Sequence, residues 1–295
     1  MFALETQVNE LSFKKPILVG SFKENKMKSM KFASVVALSW ALIGCGSDDS
    51  GGPAPYSLDD YTGRQVSTQD LTGTWVMVTD VDISVTYQGD SGHGNAYLKD
   101  YFVITGDETS GYERSSCHGL SSLPITVSGN SISLYSGYDE STLTGSISEN
   151  SSATFSTSDS YSLDGGSISL QFDASMIKIS DATNDFVQMS YTSSDGNDSE
   201  SLNCFQQSRG DFSGGGYSET FKEVAVYGFY AEKYSGDEPY TAIEFYNGIY
   251  LWFDTDFGDS VSFNHTVNSS DSELVEFNGS DSVDSASGTI AIELP

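Results

Sequence analysis

The stretch TWVMVTDVDISVTYQ, residues 74–88, decides the fold class. Trp75, Met77, Thr79, Val81, Ile83, Val85 and Tyr87 fall on one face at period two, and Val76, Val78, Asp80, Asp82, Ser84 and Thr86 fall on the other. A helix would scatter these residues around its circumference, whereas a strand sorts them into an apolar side and a side that turns polar after Val78. The glycine-rich QGDSGHGN, residues 88–95, reads as a hairpin loop, and NAYLKDYFVIT, residues 95–105, as the returning strand.

The same signature continues outward. Short β-rich runs stand at 124–128, 131–135, 142–148, 153–158, 167–172, 176–180 and 185–191, punctuated by Gly, Asn, Asp and Ser. A second glycine cluster, SRGDFSGGGYS at 208–218, reads as a separator. Beyond it stand further runs, with Asn247-Gly248 as a hairpin signal between aromatic segments. Thr220 to Glu223 has capping-box spacing for a helix. The β-branched and aromatic residues that follow favour a strand. The expectation is an all-β chain: an antiparallel barrel or sandwich over 71–207, and a second β module, or a continuation of the same sheet, over 216–295.

The N-terminal part has a different composition. Lys26, Lys28 and Lys31 precede the uncharged apolar run FASVVALSWALI, residues 32–43, which is shorter than the about 20 residues a membrane span needs. Leu42-Ile43-Gly44-Cys45 closes the run and resembles the lipobox of bacterial lipoproteins. That resemblance implies a signal region over 1–44, cleavage before Cys45 and acylation of Cys45, with the membrane as the partner through that residue. The missing aspartate after Cys45 leans toward the outer membrane. Residues 1–26 precede the basic segment and read as lying upstream of a start at Met27 or Met30. Residues 45–70 are polar and rich in Gly, Ser, Pro and Asp, and are expected to be a tether.

The full chain has 13 Lys+Arg and 42 Asp+Glu; residues 1–44 carry six and three of these, leaving 7 basic against 39 acidic and a net charge of −32. Such a surface repels nucleic acid and excludes it as a partner. Setting Cys45 aside leaves Cys117 and Cys204, an even pair that an oxidising compartment would join. A zinc site using Cys117 and His118 is the alternative, with His93 and His265 as the other histidines.

Gly73-Thr74-Trp75 resembles the Gly-x-Trp that opens lipocalin-type barrels. The resemblance implies that Trp75 sits at the barrel base and that the cavity takes a small apolar ligand. Catalytic patterns fail. Gly89-Asp90-Ser91-Gly92 is similar to the nucleophile stretch of trypsin-like proteases, but no histidine precedes His93. Gly258-Asp259-Ser260 is similar to the start of a lipase-esterase family, but stands near the wrong end of a β region. No enzyme and no resident cofactor is expected. Calcium is the ion so acidic a chain would take, with Asp254, Asp256 and Asp259, or Asp195, Asn197 and Asp198, as oxygen ligands. The function expected is that of a lipid-anchored envelope protein with a structural or partner-binding role. The alternatives are a binder of a small apolar ligand and a calcium-dependent surface protein. An aromatic patch at Tyr250, Trp252 and Phe253 would serve an envelope partner.

Overall fold

A computed structural model describes residues 53–66, 70–117, 122–135, 142–149, 151–163, 165–194, 196–214, 217–226, 229–235, 241–245, 250–251, 260–280 and 285–295. Eight antiparallel strands follow one another in chain order: β1 Gly73–Tyr87, β2 Asp90–Asp107, β3 Gly111–Arg114, β4 Leu123–Ser128, β5 Ser131–Tyr135, β6 Thr142–Ser148, β7 Ser152–Leu163 and β8 Gly166–Ser180. Each pairs with the next, and β8 returns to β1 along its whole length, from Thr74↔Ser180 to Tyr87↔Gly166, closing an up-and-down barrel. Closure removes the free edges that an open sheet would expose.

The turns follow from local chemistry. Tyr87 faces Asp90, so only Gln88 and Gly89 lie between β1 and β2, with φ values of 51° and 96°. This is the mirror-image turn whose twist matches a tight hairpin. The expected glycine-rich loop at 88–95 is therefore mostly strand. Gly92 and Gly94 make room for Phe212, because a Cβ at either would meet that ring at 2.4 and 2.8 Å. At the other end of β2, Asp107 accepts from the backbone N–H of Thr109 and Ser110, which turns the chain into β3.

The chain then leaves the barrel. β9 Val187–Ser193 and β10 Gly196–Leu202 are followed by β11 Cys204–Gly214, β12 Tyr217–Val226, β13 Phe229–Ser235, β14 Thr241–Phe245 and β15 Tyr250–Leu251. β11 attaches to β2, and β12 to β15 extend that sheet outward. β16 Ser260–Ser269, β17 Ser272–Ser280 and β18 Ser285–Glu293 join β9 and β10 in a separate five-stranded sheet of order β10-β9-β18-β17-β16. Of the glycine cluster at 208–218, residues 208–214 lie in β11 and 217–218 in β12, and the second sheet draws strands from both sides of it. Residues 220–226 are strand, in line with their β-branched content.

Three buried clusters hold the described residues together, one of them formed by Val81, Ile83, Ala96, Leu170, Phe172 and Phe221 further along β1, β2 and β8 and on β12. Inside the barrel, Trp75, Met77, Phe102, Ile104, Tyr112, Ile125, Ile132, Leu134, Leu143, Ile147, Phe155 and Met176 pack against one another, the sorting foreseen from the alternation of β1. Trp75 Nε1 donates to the Leu71 carbonyl at 2.8 Å, which satisfies its single donor at the barrel end where the chain enters. Outside the barrel, Val76, Tyr101, Val103, Ile177, Phe205, Val224 and Phe229 meet Val187, Met189, Phe263, Val275, Phe277 and Ile290 of the five-stranded sheet. Both faces of β1 and β2 are therefore buried near the barrel, which accounts for the apolar Val76 on the otherwise polar side. Further along, the same side opens to solvent at Asp80, Asp82 and Ser84.

β2 shares one edge between two partners. Ile104 to Asp107 pairs with β3, and Gly92 to Phe102 pairs with β11. Ser115 bridges the parting: Val103 N–H donates to its Oγ at 2.9 Å, its own N–H donates to Val103 O at 2.9 Å, and its Oγ donates to Asn203 O at 2.8 Å. The Cys117–Cys204 disulfide fastens the same place, with Cα atoms 5.5 Å apart across 87 residues of chain. The expected pairing is present. Trp75→Ala should cost about 3–5 kcal/mol through the void left at the barrel end, read as a lowered urea midpoint at unchanged m-value.

Candidate functional site

The expected tether is in part a structural element. Residues 53–66 cross the seam between the two sheets and include a short 3-10 turn, Asp59–Arg64. Tyr61 is 2 % exposed and joins the outer core with Leu58 beside it. Arg209 donates to Pro55 O at 3.2 Å and lies over the Tyr56 ring at 4.1 Å. Val66 N–H donates to Lys178 O at 3.0 Å. Two tyrosines and a leucine spaced through a polar segment were the sequence signal for this strap.

Beneath the strap is a buried polar cluster built from four separate parts of the chain. Val78 of β1, Lys99 of β2, Gln207 of β11 and Val224 of β12 are successive register partners on one face of the sheet. Glu273 reaches this row from β17, and His265, opposite Val275 in register, comes from β16. Lys99 Nζ donates to Glu273 Oε1 at 2.6 Å, and Tyr101 OH donates to the same oxygen at 2.6 Å. Gln207 Nε2 donates to Oε2 at 2.9 Å and to Oε1 at 3.2 Å. His265 Nε2 meets Oε2 at 2.8 Å. The side chains of Lys99, Glu273 and His265 are 8, 1 and 1 % exposed. Tyr61 OH and Tyr101 OH are hydrogen-bonded, Lys99 Nζ reaches Tyr61 OH at 3.3 Å, and Tyr56 OH donates to Gln207 Oε1 at 3.3 Å. The ammonium also lies within 5.0–5.9 Å of the rings of Tyr101, Tyr56 and Tyr61.

Burial by itself would push the Glu273 carboxyl up. Hydrogen bonds from His265, Lys99 and Tyr101, with the Lys99 charge, reverse this and hold it at about 2. The same burial, with Glu273 and Tyr61 close by, pushes the Tyr101 hydroxyl far above its ordinary value. Burial likewise raises Tyr56 against the opposing Arg209 charge, so both phenols stay protonated as donors. His265 Nδ1 has no hydrogen-bond partner among the described residues.

On the opposite face of β2 lies a second buried acid. Asp100 faces Met77 on one side and Gln206 on the other. Burial raises it to about 6, in spite of a Gln206 hydrogen bond and the Arg114 charge. Adjacent Lys99 and Asp100, inside an otherwise apolar strand, thus serve two different interiors. A charged residue in phase with a buried face was the signal for Lys99, Asp100 and Glu273, and the sequence reading passed over all three.

On the outer barrel wall a groove of about 540 Å³ opens where β6 parts from β7 beyond Gly145. Val78, Asp80, Thr154, Ser156, Asp173 and Ser175 line it. Asp80 and Asp173 are direct register partners, and burial, then Asp82 and Asp173, raises Asp80. Among the described residues no three His, Cys, Asp or Glu side chains converge as a metal site.

The sequence-predicted residues are placed as follows. Cys117 and Cys204 are joined, Trp75 lies at the barrel end, His93 is exposed on β2, and Asn197 and Asp198 are exposed on β10. His265 belongs to the buried cluster. Cys45, His118, Asp195, Trp252, Phe253, Asp254, Asp256 and Asp259 lie outside the described residues, and of Tyr250 only the backbone strand is described. No protein-family model matches the chain, and no curated protein sequence matches it.

The two buried acids have opposite linkage to pH. Glu273 titrates at about 2 in the fold against 4.5 unfolded. Its stabilisation is full above pH 4.5 and lost as pH falls toward 2, on the order of 3 kcal/mol. Asp100 titrates at about 6 against 3.8, so its contribution is full below 3.8 and lost as pH rises through 6. Denaturant titrations should therefore show stability rising from pH 2 to 4.5 in the parent, a limb that Glu273→Gln flattens. Asp100→Asn should flatten the decline between pH 3.8 and 6. At pH 7, Glu273→Gln should also cost about 3–5 kcal/mol, because Lys99 is left buried without its counter-charge.

Proposed function

We propose that the chain is an exported, lipid-anchored envelope protein whose β-domain is a non-catalytic interaction module, held through Cys45 and presented at the outer membrane. The observation that carries this reading is the Cys117–Cys204 disulfide, downstream of a lipobox-like Leu42-Ile43-Gly44-Cys45. A structural disulfide belongs to an oxidising compartment, and multiple acylation of one cysteine holds a domain stably on a bilayer. The excess of acidic side chains suits a solvated exported surface rather than one that meets nucleic acid. The module presents an open sheet face with Asp80, Asp82 and Ser84, together with the groove beside it, to partners in the envelope.

A second reading, a binder of a small apolar ligand, draws on the eight-stranded up-and-down barrel and on Trp75 at its end, the place a lipocalin-like barrel would put it. The interior side chains pack closely around Trp75, so a ligand must displace some of them. The calcium-dependent reading rests on Asp254, Asp256 and Asp259, or on Asp195, Asn197 and Asp198.

In cells, the full chain should take up labelled fatty acid and partition into detergent. Cys45→Ser should do neither, while its disulfide still forms once the chain is exported. A parent chain that stays in the aqueous phase with free Cys117 and Cys204 thiols overturns the proposal. Native mass spectrometry of the same material, with and without chelator, separates the others: a retained apolar mass favours the ligand binder, and a chelator-sensitive mass favours calcium.

A further inference from the structure

The cluster around Glu273 holds a nucleophile, an electrophile and a proton carrier on one carboxylate. Lys99 Nζ is the nucleophile, 2.6 Å from Oε1. The side-chain amide of Gln207 is the electrophile, and its nitrogen, the leaving group, is 2.9 Å from Oε2 and 3.2 Å from Oε1. Glu273 therefore touches both the proton that must leave the attacking amine and the atom that must receive one. Tyr56 OH donates to the amide oxygen, Oε1 of Gln207, where negative charge would develop on attack. Lys99 and Gln207 are direct register partners on β2 and β11, so their Cβ atoms stand about 4.5–5.5 Å apart and both side chains lean toward the same acid. The strap and the rings of Tyr56, Tyr61 and Tyr101 close over them, which keeps water from competing for the amide carbon.

We propose that Lys99 and Gln207 are a self-modification site, at which the chain forms an intramolecular isopeptide bond between Lys99 Nζ and Gln207 Cδ with loss of ammonia. The transfer of a proton from the Lys99 ammonium to Glu273 is uphill, because the donors around that carboxyl hold it at about 2, and in the small fraction of chains that carries the proton on Glu273 the free amine attacks Cδ. The carbonyl electron pair moves to the amide oxygen against the Tyr56 hydroxyl. Glu273 returns its proton to Nε2 and takes the extra proton from the attacking nitrogen. The C–N bond to Nε2 then breaks, the oxygen pair re-forms the carbonyl, and ammonia leaves carrying the remaining proton as ammonium. Lysine ammonium plus amide gives secondary amide plus ammonium, so atoms and charge balance with no oxidant or added co-reactant. Holding amine and amide on one buried acid turns a slow bimolecular exchange into a unimolecular one. It is a single event for each chain and not a turnover activity.

The bond has a structural purpose at this position. β11 leaves the barrel where β2 changes partner, and the disulfide at Cys204 fastens one end of the new pairing. A Lys99–Gln207 link three residues further on would fasten it again, in a form that reductant does not open.

The test is the mass of the full chain after reduction, followed by a tryptic map. The expected result is a chain lighter by one ammonia, no cleavage after Lys99, and a branched peptide joining Lys99 to Gln207. Lys99→Met and Glu273→Gln should both keep the full mass. Formation of the Cys117–Cys204 disulfide before reduction confirms that each variant has folded. Tyr56→Phe should slow appearance of the branched peptide in refolding time courses by tenfold or more, without changing the final product. Separate Lys99 and Gln207 peptides at full mass from folded parent chain overturn the proposal. So does an ammonia loss that maps to Asn247-Gly248, where succinimide formation releases the same mass, or a branched peptide that survives Glu273→Gln.

Discussion

The edge of β2 is shared, and the architecture depends on how that sharing is made possible. A strand offers one row of hydrogen-bonding groups on each side. β1 takes one side of β2 completely, from Gly73↔Ile104 to Tyr87↔Asp90. The other side begins with β3 and continues with β11. The part taken by β3 makes the barrel wall, and the part taken by β11 makes the platform on which the five-stranded sheet lies. Two strands cannot leave one edge at the same place without orphaning backbone groups. Ser115 removes that difficulty with three hydrogen bonds, and the disulfide keeps the two departing chains together.

Once β2 carries the barrel on one face and the second sheet on the other, its side chains have no solvent side near the junction. Phe102 and Ile104 point into the barrel core, and Tyr101 and Val103 into the core between the sheets. The charged pair just before these residues, Lys99 and Asp100, is then buried with them. Lys99 is met by Glu273 arriving from the other sheet, and Asp100 has Gln206 and Arg114. A carboxylate taken out of water costs several kcal/mol unless its lone pairs are filled. Glu273 is filled by lysine, tyrosine, glutamine and histidine donors from three other strands. Such a centre tolerates only one docking of the second sheet, because any slip would break several charge-assisted hydrogen bonds together. The strap then completes the enclosure. Polar as it is, it stays on the protein because Tyr61 is buried in the outer core and Tyr56 sits between Arg209 and Gln207.

Much of this was legible beforehand. The period-two sorting of residues 74–87 put Trp75, Met77, Val81 and Ile83 on one buried side, and the short runs to residue 180 marked the remaining strands of the barrel nearly one by one. The even pair Cys117 and Cys204 was legible because cysteine counting needs no geometry. Residues 88–95 and 208–214 misled because glycine signals both turns and close packing, and here it makes room for Phe212 and Phe221. The polar composition of 53–66 misled in the same way, since two tyrosines decide its fate and composition averages them out.

The sequence by itself determined the local facts: strand periodicity, an excess of acidic residues and a cysteine pair. These depend on residues within a few positions of one another, or on counting. The tertiary structure alone decided which strand takes which edge, and therefore which charges are buried together. Lys99, Gln207, Glu273 and His265 are separated by as many as 174 residues. Nothing in the neighbourhood of any one of them names the others. Only the parting of β2 and the docking of the second sheet bring them to one carboxylate, because sheet pairing is a long-range choice settled by total burial and not by local preference.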